Sequence, residues 1–159
     1  MKKSTWIVGG VILIIVGIFV FRNTILTPAP VPENIVAPEI SYTKKNVRLG
    51  NSLFRLEVAD TFALHERGLS YRQSLAPQTG MLFTFNAPDM YYFWMKDMNF
   101  PIDIIWLDQN KKVVHIEHSL SPSTYPGSFG PDTPTQYVVE IPAGEAKQAN
   151  VVIGDTVNF

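Results

Sequence analysis

Residues 80–108, GMLFTFNAPDMYYFWMKDMNFPIDIIWLD, constrain the fold more than any other part of the chain. They concentrate aromatic and methionine side chains, with Lys96, Asp97 and Asp103 set among them. Apolar surface this dense must be buried or serve as a binding face, because soluble monomers rarely expose patches of that size. The stretch is read as two or three core strands carrying a small polar site.

The chain before it divides by composition. Residues 6–21, WIVGGVILIIVGIFVF, are an uninterrupted apolar run between Lys2-Lys3 and Arg22. A cleaved signal peptide would have a shorter apolar centre and a small-x-small cleavage site. The run is instead followed by RNTILTPAP, with bulky Ile25 and Leu26, so an uncleaved signal anchor is favoured. It is somewhat short of the ~20 residues that cross the hydrocarbon, but Arg22 can snorkel and Thr24, Ile25 and Leu26 can extend the helix. The terminal lysines keep that end cytoplasmic and send the remainder outside. Residues 27–42 carry prolines at 28, 30, 32 and 38 and no helical period, the composition of a semi-extended tether. A proline-rich ligand for a partner domain is the alternative; the position between anchor and domain favours the spacer. The expected organisation is a cytoplasmic tip (1–5), a transmembrane signal anchor (6–26), a tether (27–43) and a domain (44–159).

Charge and cysteine content remove several functions. Three of the thirteen basic residues and none of the fourteen acidic ones precede residue 33, which leaves ten against fourteen and a net charge of −4. A mildly acidic domain has no basic stripe for a phosphate backbone, so nucleic acid is not an expected partner. The absence of cysteine excludes disulfides, thiolate catalysis and cysteine-ligated metal sites.

Local signals predict a β-rich domain. Gly50-Asn51 suits a two-residue hairpin turn, and Phe54, Leu56 and Val58 alternate with Arg55 and Glu57 as in a strand with one buried face. Asp60 or Thr61 caps a short helix over residues 62–67, with Gly68 in its C-terminal left-handed position. Residues 81–85, 90–95, 102–107, 113–119, 136–141 and part of 151–159 read as strands, with a turn at 86–89 and at most a short helix over 143–148. Phe100-Pro101 is a candidate cis bond. Residues 119–135, rich in proline and glycine, form a long loop of the kind that is functional or mobile. The sum is about eight short strands with one or two short helices, a mainly β (α+β) domain built as an antiparallel sandwich or partly closed barrel.

Several blocks in this order resemble the DUF192 (UPF0127) family. They are Arg67-Gly68-Leu69 with Arg72, Gly80-Met81-Leu82-Phe83, Phe93-Trp94-Met95-Lys96, Pro101-Ile102-Asp103-Ile104 with Leu107-Asp108, and Tyr137-Val138-Val139-Glu140 with Gly144 and Gly154-Asp155. The resemblance implies a mostly β prokaryotic domain, often exported or membrane-tethered, and implies no reaction.

Candidate site residues follow from scarce charge among apolar neighbours. Lys96, leaving an aromatic strand beside Trp94 and Asp97, is either an anion-binding or acid–base group or a surface lysine paired with a carboxylate. Asp103 is either outward on an amphipathic strand or buried and paired; sharing a face with Ile105 and Leu107 favours burial, with Arg67 or Arg72 locking helix to sheet, an anionic ligand being the alternative partner of those arginines. His115 and Glu117 share a face from which His118 points away, a poor metal site without a third ligand such as His65. No metal or cofactor is therefore expected. Trp94, Trp106, Tyr91, Tyr92, Tyr125 and Tyr137 could build a stacking platform for sugars or other planar faces, but most are expected in the core, with the exception of Tyr125 in the long loop where burial is not expected.

The chain is accordingly expected to be a membrane-anchored, extracytoplasmic binding or interaction module, periplasmic or at the cell surface. Its pocket would be rimmed by Arg67, Arg72, Trp94, Lys96, Asp103, Tyr125 and the 119–135 loop. The ligand would be a small anion, a glycan or an envelope protein. One alternative is an envelope hydrolase or lyase using Lys96 and Asp103 as acid–base groups, with Glu117 or His115 assisting. Another is a scaffold for a protein partner.

Overall fold

A computed structural model describes residues 41–159. The expected anchor and most of the tether lie outside the described residues, among which no helix is long and apolar enough to cross a membrane. The strands are β1 (Lys44–Leu49), β2 (Ser52–Ala59), β3 (Thr79–Asp89), β4 (Phe93–Trp94), β5 (Ile102–Leu107), β6 (Val113–Leu120), β7 (Ser128–Phe129) and β8 (Thr135–Pro142). Two short helices, α1 (Phe62–Arg67) and α2 (Glu145–Gln148), and a single 3-10 turn at Pro122–Thr124 complete it.

Six strands form one mixed sheet in the order β1-β2-β3-β8-β5-β6, and β4 and β7 pair as a separate ribbon. This corrects the expected antiparallel sandwich or partly closed barrel: there is no closed barrel, and β2 and β3 run parallel. The reason lies in residues 60–78. Thr61 caps α1 through Leu64 N–H, Gly68 N–H closes it on the Leu64 carbonyl, and the chain crosses back to begin β3 in the same direction as β2. β3 also runs four residues further than expected, through residues 86–89. Strand β8 lies between β3 and β5 and joins the two halves of the sheet.

Both faces of the sheet are covered, which is why every position of β5 is buried, Asp103 included. Ile102, Ile104 and Trp106 point into one core with Met81, Phe83, Met95 and Val138. Ile105 and Leu107 point into the other with Phe54, Leu82, Val139 and Ile141, roofed by Ala146 of α2. The last residues close the second core. Val157 is buried there, its N–H donates to the Lys111 carbonyl, and Asn158 bridges to Arg48 on the outermost strand.

Two glycines are fixed by space. Gly50 turns the β1–β2 hairpin at φ +50, where a Cβ would lie 2.1 Å from the Ala149 carbonyl oxygen. At Gly80, on β3, a Cβ would lie 2.1 Å from the Glu140 carbonyl oxygen of β8. Gly80→Ala must push the central strands apart and is expected to cost about 3 kcal/mol, the upper end of overpacking penalties, read as a lowered urea midpoint. A loss under about 0.5 kcal/mol would mean the strands separate freely there. The cis proline bond is Tyr125-Pro126 rather than Phe100-Pro101.

Candidate functional site

The site is built around Glu140. Alternation along β8 puts Val139 and Ile141 into one core, so Val138 and Glu140 face the other. Glu140 sits opposite Met81 on β3 and Ile104 on β5, which places a carboxyl group among apolar side chains. The residue is 5 % exposed, and its Oε2 has no hydrogen-bond partner among the described residues. Burial disfavours the charged form and pushes the Glu140 pKa up to about 8, against the opposing pull of the Arg72 charge. The group is therefore mostly neutral at pH 7 and both donates and accepts hydrogen bonds.

Glu140 lines a cleft of about 180 Å³ with Leu69, Phe83, Phe93 and Met98. Tyr92 and Trp94, both largely exposed, lie at its mouth with Arg67 and Glu66 of α1. One wall is held rigidly. His65 Nε2–H donates to the Ala59 carbonyl at 3.0 Å, its ring lies 4.5 Å from Phe85, and Phe85 stacks on Tyr91 at 3.5 Å. Two further cavities adjoin it across His65. One of about 300 Å³ is lined by Tyr71, Trp94, Lys96 and Asp97. The other, about 340 Å³, is lined by Asp60, Phe62, Asn86 and Ala87. All three are lined by His65 of α1 and so form an interrupted trench beside that helix.

The structure gathers some of the residues expected in the site. Lys96 Nζ lies 5.7 Å from the centre of the Trp94 ring, and Tyr125 meets the same ring edge-on at 6.0 Å. The segment is pinned by Ser70 Oγ, which donates to the Lys96 carbonyl, and by the Tyr71 hydroxyl, which donates to Asp97. Arg67 is close by on the cleft rim. Of the long loop, Tyr125 and the β7 strand reach this region.

Arg72 and Asp103 lie elsewhere. Arg72 donates to Glu57 on β2, and its guanidinium lies 5.5 Å from the centre of the Tyr42 ring, beside a separate cavity of about 270 Å³ with Lys44 and Arg55. Asp103 is fully buried on the opposite face, where Oδ1 accepts the Ser119 N–H at 2.7 Å and Oδ2 accepts the Ala146 N–H at 2.9 Å. The expected Arg–Asp lock is thus corrected: backbone amides, not Arg67 or Arg72, hold the carboxylate. The cause is a bulge in β6, where His118 and Ser119 together oppose Asp103 and Ser119 takes φ +52, freeing its amide. The Ala146 amide is one of the unpaired donors in the first turn of α2. Lys96 and Asp103 are not brought together.

His115 Nε2 pairs with Glu117 Oε1 at 3.1 Å, and His118 lies 4.0 Å from Asp103. Among the described residues no group of three or more histidines and carboxylates is placed to hold a metal ion. Sequence reasoning missed Glu140, treating it as one residue of a strand. Its signal was available: a lone carboxylate alternating with Val138 in the apolar second half of a strand, Val138-Val139-Glu140-Ile141.

The family profile of DUF192, described as an uncharacterized ACR, matches residues 44–159, and the chain belongs to that family. A UPF0127 protein of Thermococcus sibiricus is 28 % identical over 127 residues, covering 76 % of this chain and 73 % of its own. The crystal structure of a Sinorhizobium meliloti protein, described as a candidate transcription regulator, superposes with a TM-score of 0.72 and is 30 % identical. That match covers 76 % of this chain and 96 % of the other, so a relative made almost wholly of this domain folds on its own. A Novosphingobium aromaticivorans protein of unknown function gives a TM-score of 0.71 at 31 % identity, covering 77 % and 89 % of the two chains.

Proposed function

We propose that this DUF192 chain is a membrane-tethered, extracytoplasmic binding module whose ligand enters the aromatic cleft over Glu140. The carrying observation is the unpartnered, buried carboxyl at the wall of an aromatic cleft. An unpaired buried polar group costs free energy, and one retained at a cleft wall is there for a partner the fold itself does not supply. Tethering is supported by the apolar run at 6–21, its flanking Lys2, Lys3 and Arg22, and the prolines of 27–42. Binding is preferred to acid–base catalysis by Lys96 and Asp103, because both Asp103 oxygens are engaged on the other face of the sheet.

A fragment screen by NMR on residues 41–159 tests the cleft. Ring-containing fragments are expected to move the Trp94 indole and the Met98 methyl signals. Trp94→Ala should weaken them about tenfold or more, while the surface position keeps stability within about 0.5 kcal/mol of wild type. If no fragment moves those signals, or if shifts map to the α2 face instead, the cleft is not the binding site.

A further inference from the structure

We propose that the cleft and its trench bind a neutral oligosaccharide, one sugar ring lying in the cleft with a hydroxyl paired to the Glu140 carboxyl. This rests on the binding reading above and narrows it to one ligand class.

Charge removes the alternatives first. The titratable groups lining the cleft are Glu140 from β8, His65, Glu66 and Arg67 from α1, and Tyr91 and Tyr92, while the Arg72 charge, paired with Glu57, acts on Glu140 from the neighbouring cavity. At the rim Arg67 is offset by Glu66, and further along Lys96 is offset by Asp97. An anion drawn to Arg67 would meet the charge of Glu66 beside it. A cation would meet Arg67 and Lys96 and find Glu140 uncharged. A neutral carboxyl instead matches a hydroxyl, because each is donor and acceptor at once.

The aromatic geometry agrees. Sugar rings present one apolar C–H face, which packs on an aromatic face while the hydroxyl edge points to polar groups. Trp94 is 55 % exposed and Tyr125 46 %, and Lys96 leaves part of the indole uncovered. Exposed aromatics held in place by neighbours, rather than by the core, are surfaces for a partner. The Trp94 ring serves the cleft on one side and the Lys96 cavity on the other, so rings on either side of it belong to one ligand. Phe62, 76 % exposed, stands at the far end of the trench. Three adjoining cavities suit three linked rings better than one.

The Glu140 hydrogen bond gives the binding a pH dependence that a passive pocket lacks. Glu140 ionises near pH 8, and an ionised carboxylate next to the bound ring has lost its donor and must be desolvated.

The test is calorimetric titration of residues 41–159 with three neutral trisaccharides: tri-N-acetylchitotriose, cellotriose and maltotriose. Trigalacturonate and indole serve as the anionic and apolar probes, and the Trp94 indole NMR signal is followed in parallel. At least one neutral trisaccharide is expected to bind at least tenfold more tightly than its monosaccharide. Wild-type affinity should fall about tenfold from pH 6 to pH 9, the ratio that ionisation near pH 8 implies. Glu140→Gln, which keeps a donor and an acceptor, should bind equally at both pH values, and Glu140→Leu should lose binding at both. Binding of indole alone would overturn the sugar and leave the cleft standing as a pocket for apolar rings. Preference for trigalacturonate would overturn neutrality. Sugar affinity unchanged between pH 6 and pH 9 in wild type would overturn the role of Glu140. No response from any probe, with Trp94 unmoved, would count against the cleft itself.

Discussion

Raising the pH from about 4.5 to about 8 is expected to remove stability on the order of 4 kcal/mol through Glu140 alone. In the unfolded chain this carboxyl ionises near its ordinary value of 4.5; in the fold, burial holds it protonated up to about 8. Between those values the native state binds one more proton than the unfolded state, so stability falls as pH rises. The stabilisation is complete below pH 4.5 and gone above about 8. Urea unfolding of residues 41–159 at pH 5 and pH 8.5, for wild type and Glu140→Gln, isolates the contribution. The amide does not titrate, so the variant should lose less stability than wild type over that range by a few kcal/mol. Parallel losses in the two proteins would mean that Glu140 ionises normally, with water at its carboxyl.

Asp103→Ala is expected to cost about 3–5 kcal/mol, the range for breaking a buried, hydrogen-bonded charge. The substitution abandons two backbone amides, Ser119 N–H in the β6 bulge and Ala146 N–H at the start of α2, beside a residue that is fully buried. Each charge-assisted bond contributes about 1.5–3 kcal/mol, and a typical domain has only about 5–15 kcal/mol in total. Asp103→Asn keeps one acceptor but turns a second donor toward a donor, so it should fall between wild type and alanine. The readout is the urea midpoint together with amide exchange at Ser119 and Ala146, which should accelerate before the rest of the sheet. A loss below about 1 kcal/mol would mean that both amides find other partners.

Local chemistry made much of this fold legible before the structure. The Gly50-Asn51 turn set Leu49 opposite Ser52, and Thr61 and Gly68 bounded α1. The alternation that put Asp103 with Ile105 and Leu107 was correct, and so was the inference that it is buried. What failed was its partner, because sequence names side chains while the bulge at Ser119 supplied a main-chain donor. The parallel β2–β3 pair was hidden for a related reason. The alternating pattern of Phe54, Leu56 and Val58 fixes a face and not a direction, and direction is decided by the turns of residues 68–78. Of the site, Lys96 was found through scarce charge beside the aromatic strand of Trp94 and Tyr125 through its place in the long loop, and the structure brings the three into one cluster. Arg72 was drawn away by Glu57, a neighbour that only the β2–β3 register makes close. Glu140 escaped because its neighbours Met81 and Ile104 lie on strands far away in sequence.

The position of β8 between β3 and β5 sets an order of events during synthesis. Strands β1 to β3 and the β5–β6 hairpin emerge first, as two fragments with no hydrogen bond between them until residues 135–142 arrive. Asn158 then reaches back to Arg48, across more than a hundred intervening residues. Contacts this distant make folding slow, on the millisecond-to-second scale of β-rich domains. A chain whose central strand is made late closes its sheet only once nearly all of it has been produced.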